Sequence, residues 1–522
     1  RHRLAAGTAA AAIDRRFDEE GILTMTRWMR GVAPAAALLL FLAAFGPAAQ
    51  AADLKVQKVV SPGGIEAWLV QEEQIPAISV EMMWRGGSAL DPAGMEGLAE
   101  MATGLLTEGA GDMDAAAFRR ALDDKAVSIG FEAGRDYISG NMRTLSANRD
   151  AAFDLLRQTL MQPRFGEAEI AQARRQMLSS LQRIEQDPHE MAGRTWFETA
   201  FAGQPYGRPG DGTPESLAAI GRANLLDFHG RRFARDNMIL AVVGDIDADS
   251  LGGLLDRTFG DLPAEAAPWD LPRQELKAGG TRDTVRMQNP QTVIMMGGPG
   301  IPRDDPDYYA ARVLNYILGG GGFDSRLMEV IREQRGLAYS AYSTMLPLAE
   351  QGLFFAGTAT ANATAEEALS LLRGELERMR DDGPTEAELA GAKSALTGSF
   401  PLRMTSNRAI AGLLAGIQYR DLGADYPDRY AGLIGHVDRP AVMRVARRLL
   451  DPSGMFTVVV GDPVPPDQAR SAPLHTHCTT WPHSHRTKAD APAPSRCHRR
   501  TASEARPATP CMRRAPTLRS AG

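Results

Sequence analysis

The chain has 522 residues, a length that accommodates two to four domains with large hydrophobic cores. Hydrophobic residues make up 44% of it and aromatic residues only 6%, a composition that suits a helix-rich α/β or α+β protein. The formal net charge is −6, and because the segment after residue 462 is basic, the preceding region is more acidic than this value indicates. No basic stripe interrupts that acidic region, which excludes a nucleic-acid-binding function.

The N-terminal region has the pattern of a targeting segment. Met25 opens a positively charged stretch, residues 33–45 are apolar, and Ala49-Gln50-Ala51 fits the small-x-small rule for signal-peptide cleavage. We therefore predict a signal peptide over residues 25–51 and export to a bacterial periplasm. The alternative is an uncleaved inner-membrane anchor, although the apolar run is short for a membrane span. Residues 1–24, which contain no Met, are interpreted as over-extended translation.

Cysteine and histidine are concentrated at the other end of the chain. Five of the nine histidines lie beyond residue 470, as do all three cysteines, Cys478, Cys497 and Cys511. The exported body therefore has no disulfide framework and depends on its core for stability. The His and Cys spacing in the tail matches no standard zinc module, and the surrounding composition lacks apolar periodicity. We predict that residues 463–522 are disordered or read out of frame, in preference to a metal cluster.

Two copies of one architecture are predicted between these ends. Met83 and Met296 lie in similar apolar runs and are 213 residues apart. Gly244 and Gly461 each follow a β-branched run in a Val-Val-Gly-Asp sequence and are 217 residues apart. Two landmarks at nearly equal offsets predict a tandem duplication. The predicted parts are a first domain over residues 52–262, a linker over residues 263–280 and a second domain over residues 281–462.

Helices and strands alternate along both copies. Asp114 is a candidate N-cap for the first predicted helix. Helices are predicted at residues 113–125, 149–162, 167–185, 213–233 and 365–380. Strands are predicted at residues 78–84, 126–133, 136–145, 237–245, 292–296 and 454–462. This order predicts an α+β fold of two homologous tandem domains, each a mostly antiparallel sheet with helices packed on it.

One stretch of the first copy has the frame of a zinc motif without its ligands. Residues 85–88 read Arg-Gly-Gly-Ser, and residues 97–109 follow as a helix-like run that begins Gly-Leu-Ala. This frame resembles the insulinase/pitrilysin family of zinc peptidases, the inverzincins. Their H-x-x-E-H motif puts two zinc-binding histidines and a general-base glutamate on one helix. In this sequence the three positions hold Glu100, Thr103 and Gly104.

The resemblance also locates the family's third zinc ligand, a glutamate on a later helix. In the matching segment, residues 173–188, that position holds Ser180. All three ligands and the general base are therefore replaced, which removes the Lewis acid and its activated water together. We predict that this chain binds no metal and hydrolyses no peptide by itself.

Other residue types do not supply a replacement catalytic site. The remaining histidines stand singly and are interpreted as surface or core residues, namely His189, His229 and His436. Three acidic residues near the substituted motif are interpreted as a solvated helix face in preference to a substrate-binding set, namely Glu96, Glu100 and Glu108. The body contains neither a G-x-S-x-G elbow nor a cysteine, so nothing in it indicates a serine or cysteine hydrolase.

The strongest resemblance lies in the second copy, at residues 318–340. The segment is similar to the family's "LGGGxxSRLxxxIRExRGLAYS" run, in which an Arg and a Tyr seven residues apart hold substrate and the developing oxyanion. The resemblance implies that role for Arg332 and Tyr339. Judged by residue type alone, Arg332 would be an ordinary charge at the end of a helix and Tyr339 a residue packed in the sheet. Their spacing and the flanking sequence favour the functional role. No G-K-[ST] follows the glycine run, so the run is not a phosphate-binding loop. The resemblance implies instead that these glycines line a peptide chamber, namely Gly319, Gly320, Gly321 and Gly322.

The resemblance covers residues 54–462 and implies an arrangement of both domains around a peptide-binding chamber. Many bacterial members work as pairs of different subunits, one with the zinc motif and one supplying the Arg/Tyr pair. This sequence has the second pattern. We therefore expect no cofactor in this chain, Zn²⁺ in a partner, a heterodimer with an H-x-x-E-H paralogue, and peptide as substrate. The alternatives are a non-proteolytic scaffold of the same fold and an autonomous zinc peptidase.

Overall fold

The computed structural model describes residues 54–277 and 279–464. The predicted signal peptide and almost all of the predicted tail lie outside this range. Within it, no helix is both long and apolar enough to cross a membrane. The strands are β1 (Gln57–Val60), β2 (Glu66–Gln71), β3 (Ala77–Arg85), β4 (Gly109–Ala110), β5 (Met113–Asp114), β6 (Ser128–Ala133), β7 (Tyr137–Leu145), β8 (Met238–Gly244), β9 (Arg282–Arg286), β10 (Gln291–Pro299), β11 (Ala338–Pro347), β12 (Gly352–Ala361) and β13 (Phe456–Gly461).

Helices fill most of the sequence between the strands. Those of the first copy are α1 (Leu98–Leu105), α2 (Ala115–Asp124), α3 (Arg149–Met161), α4 (Glu167–Ile184), α5 (Pro188–Ala200), α6 (Pro214–Ala219), α7 (Arg222–Arg232) and α8 (Ala248–Phe259). Those of the second copy are α9 (Tyr308–Asn315), α10 (Ala365–Asp381), α11 (Glu386–Ser399), α12 (Asn407–Tyr419), α13 (Tyr426–Gly435) and α14 (Arg439–Leu449). Two π-helical turns, Tyr316–Gly320 and Met328–Glu333, precede β11.

Strand order confirms the predicted fold class. The first sheet runs β1-β2-β8-β3-β7-β6 and the second β11-β12-β10-β13-β9. In each sheet a central strand, β3 or β10, pairs antiparallel with both of its neighbours. One of these neighbours also forms the sheet's parallel pair, β8 with β2 in the first sheet and β13 with β9 in the second. Gly244 and Gly461 end equivalent strands with φ of 145° and 150°. A Cβ at Gly244 would lie 2.1 Å from the Ala77 carbonyl oxygen, so the close strand approach requires glycine.

Most predicted elements form at the predicted places, with one correction. Asp114 caps α2 by accepting a hydrogen bond of 2.7 Å from the Ala117 amide. The single helix predicted over residues 213–233 is wrong, because two helices, α6 and α7, occupy this range. The chain is extended at Ile220 and Gly221, and the Gly221 amide bonds the Asn224 side chain, which begins α7. A β-branched residue followed by glycine interrupts the helical periodicity here.

The two domains exchange helices. α5, from the first copy, packs on β10 and β13 of the second sheet, while α12, from the second copy, packs on β3 and β8 of the first. Val242 therefore lies in the first-domain core, whereas its neighbour Val243 joins the core of the second domain. Central strands buried on both faces explain the continuous apolar runs that close each copy.

A buried polar cluster also joins the domains. The Asp136 carboxylate accepts hydrogen bonds from the Tyr206 hydroxyl (2.7 Å) and from the Ala349 amide (2.8 Å). The Glu350 amide donates to the same hydroxyl at 3.1 Å, so the β11–β12 turn is bonded to the first domain. Burial raises the pKa of Asp136. The Tyr206 segment thus holds the two domains together.

The carboxylate of Glu81, in the middle of β3, predicts a pH dependence of stability. Burial beneath α12 raises its pKa from 4.5 to about 7, opposed by Arg408 at 3.8 Å. The folded state therefore binds this proton more tightly than the unfolded state. The free energy of unfolding should fall as pH rises from about 4.5 to above 7, by up to about 3 kcal/mol from this group.

The variant Glu81→Gln tests this expectation by denaturant unfolding at pH 5 and pH 8. The variant should lose the part of the difference between the two pH values that comes from Glu81, while the raised pKa values of Asp91 and Glu100 keep the rest, and it should be the more stable protein at pH 8. The exposed Glu377→Gln is the matched control and should keep the wild-type difference. An unchanged pH dependence in Glu81→Gln would contradict the assignment.

Candidate functional site

The helix that carries the substituted zinc motif, α1, is held firmly at its N-terminus. Gly97 adopts a φ of 90° before it. The buried Asp91 side chain accepts hydrogen bonds from the amides of Gly97 (3.0 Å) and Ala99 (3.1 Å). Burial raises the Asp91 pKa to about 8, against the effect of these bonds. Arg208 donates to the backbone carbonyls of Ala89 and Asp91. The backbone that would present a zinc motif is therefore retained.

Three of the four substituted positions are on α1 and the fourth, Ser180, is on α4, which contacts α1. Thr103 is buried, and its hydroxyl donates to the Ala99 carbonyl at 2.9 Å within the helix. Gly104 is exposed, and a Cβ there would meet no atom within 4 Å. The Ser180 hydroxyl accepts a hydrogen bond of 2.6 Å from Arg183. None of these three residues offers a zinc ligand or a general base.

Glu100 is the one ionisable residue at the four positions. Although the residue is solvent-accessible, the surrounding protein desolvates its carboxylate and raises the pKa to about 7. Repulsion from Asp211 and Glu132 acts in the same direction. Among residues 54–277 and 279–464, no group of three or more His, Cys, Asp or Glu side chains is arranged to hold a metal ion. The residues present at this site therefore do not fit a catalytic zinc.

The other acidic residues near α1 make local surface contacts. Glu96 accepts a hydrogen bond of 3.0 Å from the Gly94 amide. Glu108 forms an ion pair of 3.2 Å with Arg119. Such contacts are typical of a solvated surface, in line with the interpretation from the sequence.

The histidines of the body are placed as surface or core residues. The His229 ring stacks on Phe233 at 4.9 Å, and burial lowers its pKa to about 4. His189 and His436 are exposed, and His436 Nδ1 lies 2.6 Å from the Gly432 carbonyl oxygen. These three residues lie on α5, α7 and the end of α13, and none belongs to a metal-binding group.

Arg332 and Tyr339 meet on the surface of the second domain. The guanidinium carbon of Arg332 lies 4.9 Å from the centre of the Tyr339 ring and 4.5 Å from that of Phe323. The two rings are 78% and 66% exposed, respectively, so Tyr339 is not a residue packed in the sheet. Arg332 Nε also lies 3.4 Å from Glu333. The contact of Phe323 with Arg332 could not be predicted from the sequence, because an isolated phenylalanine after glycines gives no indication of it.

The local backbone explains why residues seven apart in sequence come together. Arg332 is near the end of the second π-helical turn, and its carbonyl accepts a hydrogen bond of 2.8 Å from the Gly336 amide. Gly336 has a φ of 62°, a left-handed conformation that favours glycine. The chain then enters β11 at Ala338, which places Tyr339 beside the turn. The Arg-Gly-Leu-Ala-Tyr sequence thus encodes the reversal that forms the pair.

The glycine run packs closely against neighbouring backbone and side chains. A Cβ at Gly319 would lie 2.2 Å from the Ser343 amide nitrogen of β11. Cβ atoms at Gly320 and Gly321 would lie 2.5 Å from the Asn315 side chain and 2.7 Å from the Tyr316 carbonyl oxygen. Gly322 has open space but a φ of 66°. Close packing and turn geometry account for these glycines, and their role in a peptide chamber stays a prediction.

Comparison with known proteins identifies the class that this fold and site define. The family model described as "Insulinase (Peptidase family M16)" matches residues 68–213. A second, described as "Peptidase M16 inactive domain", matches residues 219–396. The chain therefore belongs to the M16 peptidase family, which confirms the resemblance noted in the sequence.

Relatives within the family include inactive proteins. The non-peptidase homolog YmxG of Helicobacter pylori is 28% identical over 333 residues, which cover 63% of this chain and 76% of that protein. An uncharacterized zinc protease of Mycobacterium leprae is 27% identical over 360 residues, covering 68% and 80%. The peptidase M16 inactive domain from Pseudomonas fluorescens has a TM-score of 0.74 at 28% identity, covering 79% and 98%. With its zinc positions substituted, the present chain is an inactive M16 homologue.

Proposed function

We propose that this chain is the non-catalytic subunit of a heteromeric zinc peptidase. It binds peptide and supplies Arg332 and Tyr339 to the zinc site of an H-x-x-E-H partner in the periplasm. The observation that carries the proposal is the half-buried Arg332 guanidinium, in contact with two exposed rings at the surface, in a chain whose own zinc positions are substituted. A fixed cation at the surface is positioned to act across an interface.

The chemistry of the pair suits peptide hydrolysis by a partner. Attack of water on a peptide carbonyl produces a negatively charged tetrahedral oxygen. The Arg332 guanidinium and the Tyr339 hydroxyl are hydrogen-bond donors that stabilise such an oxygen as its charge develops. Zn²⁺ in the partner would supply the Lewis acid and the activated water.

The sheets offer sites for an extended peptide. In the described part of the chain, β6 and β11 are the outer strands on the matching side of each sheet, paired only with β7 and β12, respectively. Exposed sheet edges bind extended peptides by main-chain hydrogen bonds. β11 begins next to Arg332 and contains Tyr339, so a peptide bound along this strand would pass the pair.

A scaffold function is the second candidate. A chain of the complex III2 structure from Candida albicans shares the fold, with a TM-score of 0.66 at 15% identity. This likeness concerns the fold alone. The scaffold predicts a stable complex in which no peptide is cleaved.

Co-expression with an H-x-x-E-H paralogue from the same genome tests the proposal. We expect a heterodimer that contains zinc, with peptidase activity greatly exceeding that of either chain alone. Metal analysis of this chain purified by itself is the control and should show no zinc. A partner that is fully active alone would contradict the proposal. A stable but proteolytically silent complex would favour the scaffold.

A further inference from the structure

The second domain has a pocket with several positively charged residues, separate from the Arg332 site because Arg332 is not part of its lining. The pocket has a volume of about 440 Å³ and is bounded by α9, the end of β11, α12 and α13. Its polar lining includes four arginines, Arg303, Arg312, Arg403 and Arg420, and we call it the arginine pocket. We propose that the arginine pocket binds a carboxylate or phosphate group carried by a ligand with an apolar part.

The charge of the arginine pocket is not neutralised by the protein. None of its lining residues is acidic, and none of the four arginines forms an ion pair within the described residues. Two of the three carboxylates on the loop before α9 are paired elsewhere: Asp305 accepts a hydrogen bond from Arg448 at 2.7 Å, and Asp307 accepts one from Arg444 at 2.5 Å. The third, Asp304, lines a neighbouring pocket and not the arginine pocket. Four like charges around one cavity repel each other, and a bound anion relieves that repulsion.

Neutral groups hold Arg303 in place. The guanidinium carbon of Arg303 lies 4.0 Å from the centre of the Tyr308 ring. Its Nη2 atom donates to the hydroxyls of Tyr309 at 3.0 Å and Tyr426 at 3.3 Å. Tyrosine contacts fix the direction of a guanidinium without cancelling its charge. The Arg303 guanidinium is therefore oriented before any ligand binds, which reduces the entropic cost of binding.

A structural arginine in the same domain, Arg326, differs from these four because it is paired with carboxylates. Arg326 donates to Glu388 and lies 3.5 Å from Glu375, so its charge is matched by carboxylates. The arginines of the pocket have no such partners. This contrast within one domain indicates that their charge is kept available.

The remaining lining defines the class of ligand. Apolar side chains stand beside the arginines, including Met345, Leu413 and Ile417. A guanidinium donates two parallel hydrogen bonds to a carboxylate or phosphate, and the cavity volume falls in the usual range of ligand sites. The free C-terminus of a peptide with an apolar last residue and an apolar phosphate ester both have this chemistry.

Calorimetric titration of the full chain tests the proposal with three probes. These are N-acetyl-leucyl-leucine as the free acid, the same dipeptide as its C-terminal amide, and inorganic phosphate. We expect the free acid to bind at least about tenfold more tightly than the amide, because the amide loses charge-assisted hydrogen bonds. Binding should weaken as salt concentration rises. Tighter binding of phosphate than of the free acid would identify a phosphate-bearing ligand.

Two variants assign the binding to this pocket. The double variant Arg403→Gln/Arg420→Gln alters exposed residues and should bind the preferred probe about tenfold more weakly or worse. Arg175→Gln, an exposed arginine on α4, is the matched control and should bind as the wild type does. Absence of binding by all probes at millimolar concentration, equal affinity for acid and amide without phosphate binding, or unchanged affinity of the double variant would overturn the proposal.

Discussion

Replacement of Arg332 by alanine, or of Tyr339 by phenylalanine, is expected to lower the kcat of the reconstituted heterodimer by about 10²–10³-fold in each case. Each change removes a donor that acts on charge developed in the transition state, so kcat should fall more than KM rises. Zinc content and heterodimer formation should be retained, because neither side chain is buried in the fold. Steady-state kinetics on a fluorogenic peptide, with metal analysis of the same sample, measures both.

Neighbouring residues of the same types provide matched controls. Arg335 is exposed three residues beyond Arg332 and lies 3.5 Å from Glu367. Tyr342 is 38% exposed three residues beyond Tyr339 on β11. Arg335→Ala and Tyr342→Phe should change kcat by less than about threefold, because neither residue is proposed to contact the developing oxyanion. Since Tyr342 lies on the strand proposed to bind peptide, any effect of its replacement should appear in KM. Rates for Arg332→Ala and Tyr339→Phe no lower than those of the controls would refute transfer of the pair to a partner.

The parts of the fold that could be predicted from the sequence are those with local signals. β-branched runs ending in glycine predicted β8 and β13, and two pairs of landmarks at nearly equal offsets predicted the duplication. The helix exchange between domains could not be predicted, because it depends on contacts over large sequence separations. Val242 and Val243 are both apolar, and nothing local indicates that one faces its own domain while the other faces α12. Only the tertiary structure assigns the two faces.

The candidate sites likewise divide into one that has a local sequence signal and one that depends on contacts between distant segments. Arg332 and Tyr339 were predicted because their spacing within one short segment is itself the signal. The arginine pocket was not predicted, because its arginines come from α9, the preceding loop, the segment before α12 and the residue after it. Each has the sequence context of an ordinary surface residue. A site assembled from four segments has no motif that a single sequence can reveal.

The helix exchange also places one large, fully buried side chain between the two copies. Trp196 lies on α5, contributed by the first copy, yet it is fully buried against the second sheet. Its ring centre is 4.6 Å from that of Phe355, and its indole nitrogen donates to the Phe456 carbonyl at 3.2 Å. A Cβ at Gly297 would lie 2.8 Å from the indole, so β10 leaves space for this ring. Trp196→Ala should lower the free energy of unfolding by about 3–5 kcal/mol.

Denaturant unfolding followed by circular dichroism measures that loss. Trp196→Phe retains most of the apolar area and should lose less than Trp196→Ala, although it too loses the indole hydrogen bond. Leu402→Ala, at a side chain that is 70% exposed, should remain within about 0.5 kcal/mol of the wild type. Because Trp196 joins a helix of one copy to the sheet of the other, its removal should also reduce the cooperativity between the domains. A single transition for Trp196→Ala at the wild-type midpoint would show that α5 is not what ties them together.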